Sequence, residues 1–244
     1  MPALFTAMGL SLIGSLGGLL CAALLLLLPA HARARLVPWL VAYAVGALLG
    51  VALLALLPEA IELRAPTDVF GVLLVGILGF FVIEKLVLWR HCHTEECTVH
   101  DASASLVLIG GAVHNFVDGA MIGAAVLTSV PLGISTAVAV AAHEVPQEIS
   151  DFAVLLHAGY SRSRALALNV LTGLASVLGA IAAVLLVQAL PAMLPYLLAI
   201  AAASFIYVAM SDLIPDLHDR GRTGLTAVPQ VLLVGLGMAT ALLL

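Results

Sequence analysis

Two stretches of this 244-residue chain concentrate side chains able to hold a metal ion: His114-Asn115-Phe116-Val117-Asp118-Gly119 and His143-Glu144-Val145-Pro146-Gln147-Glu148-Ile149-Ser150-Asp151. His114 and Asp118 stand at i and i+4, as do His143 and Gln147, so on helices each pair projects from one face. Imidazole nitrogen, carboxylate oxygen and amide together suit a borderline divalent transition metal. The lack of thiolate disfavours copper(I), and imidazole argues against magnesium or calcium. Zinc fits best, with Fe2+, Mn2+, Co2+ and Cd2+ left open as ions that accept the same donors. The ion is read as cargo; no catalytic cofactor is expected.

The elements that must position these residues follow from composition. Hydrophobic residues make up 63% of the chain and charged ones 9%, with a mean hydropathy of +1.20. A soluble domain is about 45–50% apolar and about 25% charged. So few charges cannot clothe a water-facing surface, and the lipid bilayer is the expected solvent. A net charge of −5 and the lack of a basic stripe exclude nucleic acid as a partner.

Apolar runs cover residues 3–28, 36–57, 69–89, 103–128, 131–157, 165–190, 192–214 and 225–244. A helix needs about 20 residues to cross the hydrocarbon core. The runs are continuous rather than alternating, which excludes a barrel. The expected fold is therefore an all-α integral membrane protein of eight transmembrane helices, one polytopic domain over 1–244. The first run lacks the basic start of a cleavable signal and is too long for one, so it reads as a retained span. A short chain with no soluble domain points to a cell membrane, a bacterial inner membrane in the first place.

Orientation comes from Lys and Arg, which stay cytoplasmic. Arg33, Arg35, Lys85, Arg90, Arg162, Arg164, Arg220 and Arg222 all fall on one side if the spans alternate, and only Arg64 falls opposite. Both termini are then outside.

Spans 4 and 5 are joined by Ser129-Val130 alone and must form an antiparallel hairpin. At 1.5 Å rise per residue, His114, His143 and Gln147 come within about one helical turn of one another, halfway across the membrane. The two pairs make a four-ligand cage of His114, Asp118, His143 and Gln147. Three carboxylates in span 5 would cost ~8–10 kcal/mol facing lipid alone, which a bound cation offsets. Pro146 cannot donate its backbone hydrogen bond and frees the carbonyl of Ala142 beside the cage. Glu148 and Asp151, further along span 5, mark an exit path.

Several other features carry weaker signals. Span 2 ends Leu56-Leu57-Pro58-Glu59 and span 7 ends Leu213-Ile214-Pro215-Asp216, on opposite sides of the membrane. That echo predicts an inverted repeat of spans 1–3 and 6–8 around spans 4–5. The tract after span 3 brings His91, Cys92, His93 and Cys97 together on the reducing side, as a metal acceptor or a solvated turn. Gly14 and Gly18 form a small-xxx-small pair that reads as close helix packing rather than a dimer seam; a homodimer stays open. Glu84 and Lys85 read as a snorkelling pair.

The two polar stretches resemble the signature of the ZIP (Zrt/Irt-like) family of divalent metal transporters. The family pattern HNxxDG is matched by His114, Asn115, Asp118 and Gly119. The pattern HExPHExGD of one large subgroup is matched by His143, Glu144, Pro146, Glu148 and Asp151. Gln147 stands where many relatives have His or Glu, and Ser150 replaces a glycine. The resemblance implies movement of zinc or a similar ion toward the cytoplasm along spans 4 and 5. It also implies one metal position at His114, Asp118, His143 and Gln147, and a neighbouring one at Asn115, Asp118 and Glu144. Some relatives add an acid from span 6, which here offers Asn169, Thr172 and Ser176.

A rival reading is an intramembrane zinc hydrolase. His143-Glu144-x-x-Gln147 is similar to the zincin pattern H-E-x-x-H, in which the glutamate activates metal-bound water. The last position is Gln, and Pro146 interrupts the motif.

Overall fold

The computed structural model describes residues 2–91, 99–219 and 227–243, and all regular structure there is helical. Helix α1 (Pro2–Leu26) is followed by α2 (Ala30–Val51), which runs through a π-helical turn, Ala52–Leu56, into α3 (Leu57–Leu63). Next come α4 (Pro66–His91), α5 (Val99–Thr128), α6 (Val130–His157), α7 (Arg162–Gly173) and α8 (Ala175–Ala189). Helix α9 (Leu194–Val208) passes through a second π turn, Ala209–Leu213, into α10 (Ile214–Asp219), and α11 (Val228–Leu243) ends the fold.

Among the described residues six helical stretches are long and apolar enough to cross a membrane, with α2–α3, α7–α8 and α9–α10 each counted as one, and side chains such as Ile13, Val75, Leu78 and Leu232 form a lipid-facing surface. Two further runs expected as spans differ in kind. Helix α6 carries Glu144, Glu148 and Asp151, and packs against α1, α2 and α5. Helix α11 is 16 residues long. The chain is an all-α, multi-pass membrane protein.

Two expected boundaries shift for local reasons. Span 2, expected at 36–57, is helical from Ala30 to Leu63, because Arg33 and Arg35 continue the helix beyond the apolar run. Span 6, expected unbroken at 165–190, divides at Leu174 into α7 and α8. There the Val177 amide donates to Leu174 O instead of Gly173 O, and Ser15 Oγ of α1 lies 3.2 Å from the carbonyl thereby freed.

The π turns explain the paired endings seen in sequence. Pro58 and Pro215 each follow one closely, and a proline ring crowds the carbonyl four residues earlier. Widening the turn to i→i+5 relieves that crowding: the Leu57 amide reaches Ala52 O and the Ile214 amide reaches Ala209 O. Helix pairing has the same symmetry. Helix α1 packs on α6 and α8 on α5; α2 packs on α11 and α9 on α4. Exchanging the first three spans with the last three, and α5 with α6, leaves this set unchanged, as an inverted repeat requires.

Helix α6 is delimited by side-chain and backbone caps. Ser129 Oγ accepts from the Leu132 amide at 3.2 Å, and Gly159, at φ +86°, closes the other end. The Gly159 and Tyr160 amides donate to Leu156 O and Leu155 O, the pair of bonds that ends helices at a left-handed glycine. Between these stops the helix stays regular through Pro146.

Candidate metal centre

Helices α5 and α6 present the cluster to each other. His114, Asp118, His143 and Glu144 each offer one donor atom, and the four atoms lie within 4.8 Å of one another, the one such group among the described residues. His143 Nε2 is 3.1 Å from Asp118 Oδ2 and 3.1 Å from His114 Nε2. His114 Nε2 is 3.5 Å from both Asp118 Oδ2 and Glu144 Oε1, and His143 Nε2 is 4.0 Å from Glu144 Oε1. A tetrahedral zinc ion with bonds of about 2.0–2.1 Å needs donors about 3.3 Å apart. The spacing fits.

Orientation and burial agree with that chemistry. His143 Nδ1 lies 3.1 Å from Ala139 O; donating there, it keeps its proton and leaves Nε2 bare toward the cluster. Asp118 and Glu144 are buried, and neither oxygen of either carboxylate has a hydrogen-bond partner. Two bare carboxylates and two facing imidazole nitrogens in one largely buried pocket are costly together unless a cation joins them. The wall behind is apolar, with the Phe205 ring edge-on to His143 at 6.2 Å between centroids.

The remaining expected residues are distributed around this quartet. Spacing alone filled the fourth place with Gln147; the structure brings the Glu144 carboxylate to the other three, with Gln147 half-buried one turn along α6. Asn115 is buried and faces α1: its Oδ1 accepts from Ser15 Oγ at 2.9 Å and its Nδ2 donates to Gly111 O at 3.0 Å. Glu148 is buried next to α7, and Asp151 stands beside Gly111 of α5. Cys92, His93 and Cys97 lie outside the described residues, and His91 closes α4. Glu84 accepts a hydrogen bond from the Tyr207 hydroxyl, while Lys85 sits over the Phe81 ring at 5.3 Å, so the two are not a pair.

Sequence reasoning missed Ser15, whose single hydroxyl proton links α1 to α5 or to the break in span 6. The signal was present: Ser15 sits between Gly14 and Gly18, the small residues that bring α1 close. Both glycines pack on α6 within the chain: a Cβ added at Gly14 or Gly18 would lie 3.3 Å from the carbonyl oxygen of Ala137 or Ala141. A Cβ at Gly18 would also lie 2.7 Å from Glu144 Cβ. Gly18→Ala is therefore expected to push Glu144 out of register and weaken zinc binding about tenfold or more, with the protein still folded. Isothermal titration beside a melting curve checks this.

Comparison with known proteins agrees with the geometry. The ZIP zinc transporter family model matches residues 89–244, more than half of the chain. Zinc transporter ZIP10 of Mus musculus is 38% identical over 139 residues, 55% of this chain and 17% of that protein. Zinc transporter foi of Drosophila melanogaster is 38% identical over 137 residues, 56% of this chain and 19% of that protein. Zinc transporter ZIP13 of Pongo abelii is 31% identical over 196 residues, 74% and 58% respectively. The chain thus spans under a fifth of the length of the first two. With the motif side chains gathered into one quartet, three of its members buried, and the family match running across α5, α6 and everything beyond them, this chain belongs to the ZIP zinc transporter family.

Proposed function

We propose that this protein carries a divalent transition-metal ion, zinc foremost, across a membrane into the cytoplasm through the site between α5 and α6. The observation that supports the reading is the quartet of His114, Asp118, His143 and Glu144, whose donor atoms lie within 4.8 Å of one another, near enough to close on a tetrahedral ion, inside a largely apolar helix bundle. The names of the relatives make zinc the first candidate; Fe2+, Mn2+, Co2+ and Cd2+ would compete for the same donors. Eight spans with both termini outside, in a cell membrane such as a bacterial inner membrane, place the Arg-rich ends in the cytoplasm.

In this mechanism the ion sheds water in steps and is received by the quartet, with Gln147 and Asn115 as further donors when their side chains turn inward. It leaves past Glu148 and Asp151 toward the basic side. The paired helix groups give the site alternating access to the two faces. A hydrolase would need Glu144 free to activate metal-bound water. Instead its Oε1 stands 3.5 Å and 4.0 Å from the two imidazoles, at ligand spacing.

Purified protein reconstituted in sealed vesicles is expected to accumulate labelled zinc well above protein-free vesicles, with the other divalent ions competing. Zero accumulation together with turnover of peptide or lipid would overturn the reading.

A further inference from the structure

One helical turn beyond Glu144, Glu148 points away from the quartet's partners and toward α1 and α7. It is 3% exposed, and Asn169 of α7 is 2% exposed. Glu148 Oε2 and Asn169 Nδ2 are both buried without a hydrogen-bond partner. The two side chains line the same cavity of about 560 Å3 between α1, α6 and α7. Its walls are apolar, including Leu19, Leu26, Phe152 and Leu166, and Arg33, His157 and Arg162 also line it, at the helix ends. Arg33 makes no ion pair with Glu148 among the described contacts, and its Nη1 donates to Leu26 O at 3.1 Å.

One oxygen of the carboxylate and the nitrogen of the neighbouring amide lack a partner in this cavity, which leaves the pair with coordinating capacity to spare. The carboxylate supplies a formal charge. The amide supplies an oxygen after a half-turn of its end group, since its N and O exchange places. The cavity has room for on the order of ten waters to complete the shell. Such a donor set is oxygen only, and holds a divalent cation more weakly and less selectively than one with two imidazoles. The positive rim lowers the affinity further.

We propose that the Glu148–Asn169 cavity is a second cation position, separate from the quartet, where the ion leaving the quartet is held by oxygen donors and water before release. It rests on the transport reading above and deepens it: a strong site followed by a weak, rehydrating one lets the ion dissociate without the quartet having to bind loosely.

Equilibrium dialysis of Zn2+ against the purified full chain in lipid nanodiscs, read by elemental analysis, tests it. Wild type is expected to bind two ions, with affinities at least tenfold apart. Glu148→Gln, which keeps size and removes charge, should lose the weaker ion alone; His143→Gln should lose the tighter one and keep the weaker. Asn169→Leu should weaken the second ion several-fold and carries the same test if Glu148→Gln does not assemble. The proposal is overturned by a single ion in wild type up to millimolar zinc. It is also overturned by two ions surviving in Glu148→Gln, or by loss of the tighter ion in that variant. Failure of the transport reading looks different: both ions bind and vesicles accumulate nothing.

Discussion

His143→Ala is expected to bring zinc uptake down to the level of protein-free vesicles and to weaken zinc binding by more than ~100-fold. The argument starts from position. His143 Nε2 is within 4.0 Å of the donor atoms of all three other members of the quartet, so its loss removes a corner that every remaining distance refers to. Altering groups that only orient a ligand commonly costs ~10–100-fold in metal affinity; removing the ligand itself must cost more. Its Nδ1 contact with Ala139 O goes too, but that bond lies within one helix and its loss does not unpick the bundle. Zinc uptake, zinc affinity and the melting temperature should be measured together. His143→Gln, closer in volume, separates the missing nitrogen from the missing packing. Uptake that survives in both His143→Ala and Asp118→Ala would remove the quartet from the mechanism.

Gly119→Ala should be the most damaging single methyl in the molecule. A Cβ on Gly119 would run into the carbonyl of Ser176, and one on Gly179 would run into the carbonyl of Phe116. At both places α5 and α8 touch backbone to backbone, so no side chain can yield and the helices must part. Overpacking of a core typically costs about 1–3 kcal/mol; with backbone as the obstacle the upper end or beyond is expected. Asp118 precedes Gly119, so the displacement also spoils the quartet. The control is on the same helix: nothing lies within 4 Å of a Cβ at Gly110, and Gly110→Ala should be neutral or stabilising by up to about 1 kcal/mol through helix propensity. Thermal unfolding in detergent, read by a thiol-independent dye, distinguishes the two. Equal melting temperatures would show that α5 and α8 are not in this close contact.

What hydropathy and spacing could reveal here is what lipid and metal demand of a sequence. Apolar runs are long because the hydrocarbon is thick, so among the described residues each run is helical, and six helical stretches are long and apolar enough to cross it. The i, i+4 pairs share a face because helices have one period, so His114, Asp118 and His143 meet as expected. Glu144 was harder to place, since facing a partner helix depends on how α5 and α6 rotate about their axes. That rotation is fixed by Gly18 against α6 and Gly119 against α8, contacts between residues far apart in the chain. The division of span 6 at Leu174 was invisible for a similar reason: no proline marks it, and its freed carbonyl is met by Ser15 from the other end of the sequence. Asn115 turned toward α1 rather than into the quartet because that same serine offers it a hydrogen bond.

The Ala139 carbonyl that steadies the His143 ring has one further consequence. With that ring steadied, the close approach of the two Nε2 atoms, 3.1 Å apart, favours an ion with short bonds. Calcium, whose bonds of about 2.3–2.6 Å call for wider jaws and more oxygens, is expected to bind far more weakly, by size as well as by chemistry. A somewhat larger soft ion such as Cd2+ is expected to bind with His114, the partly exposed jaw, displaced.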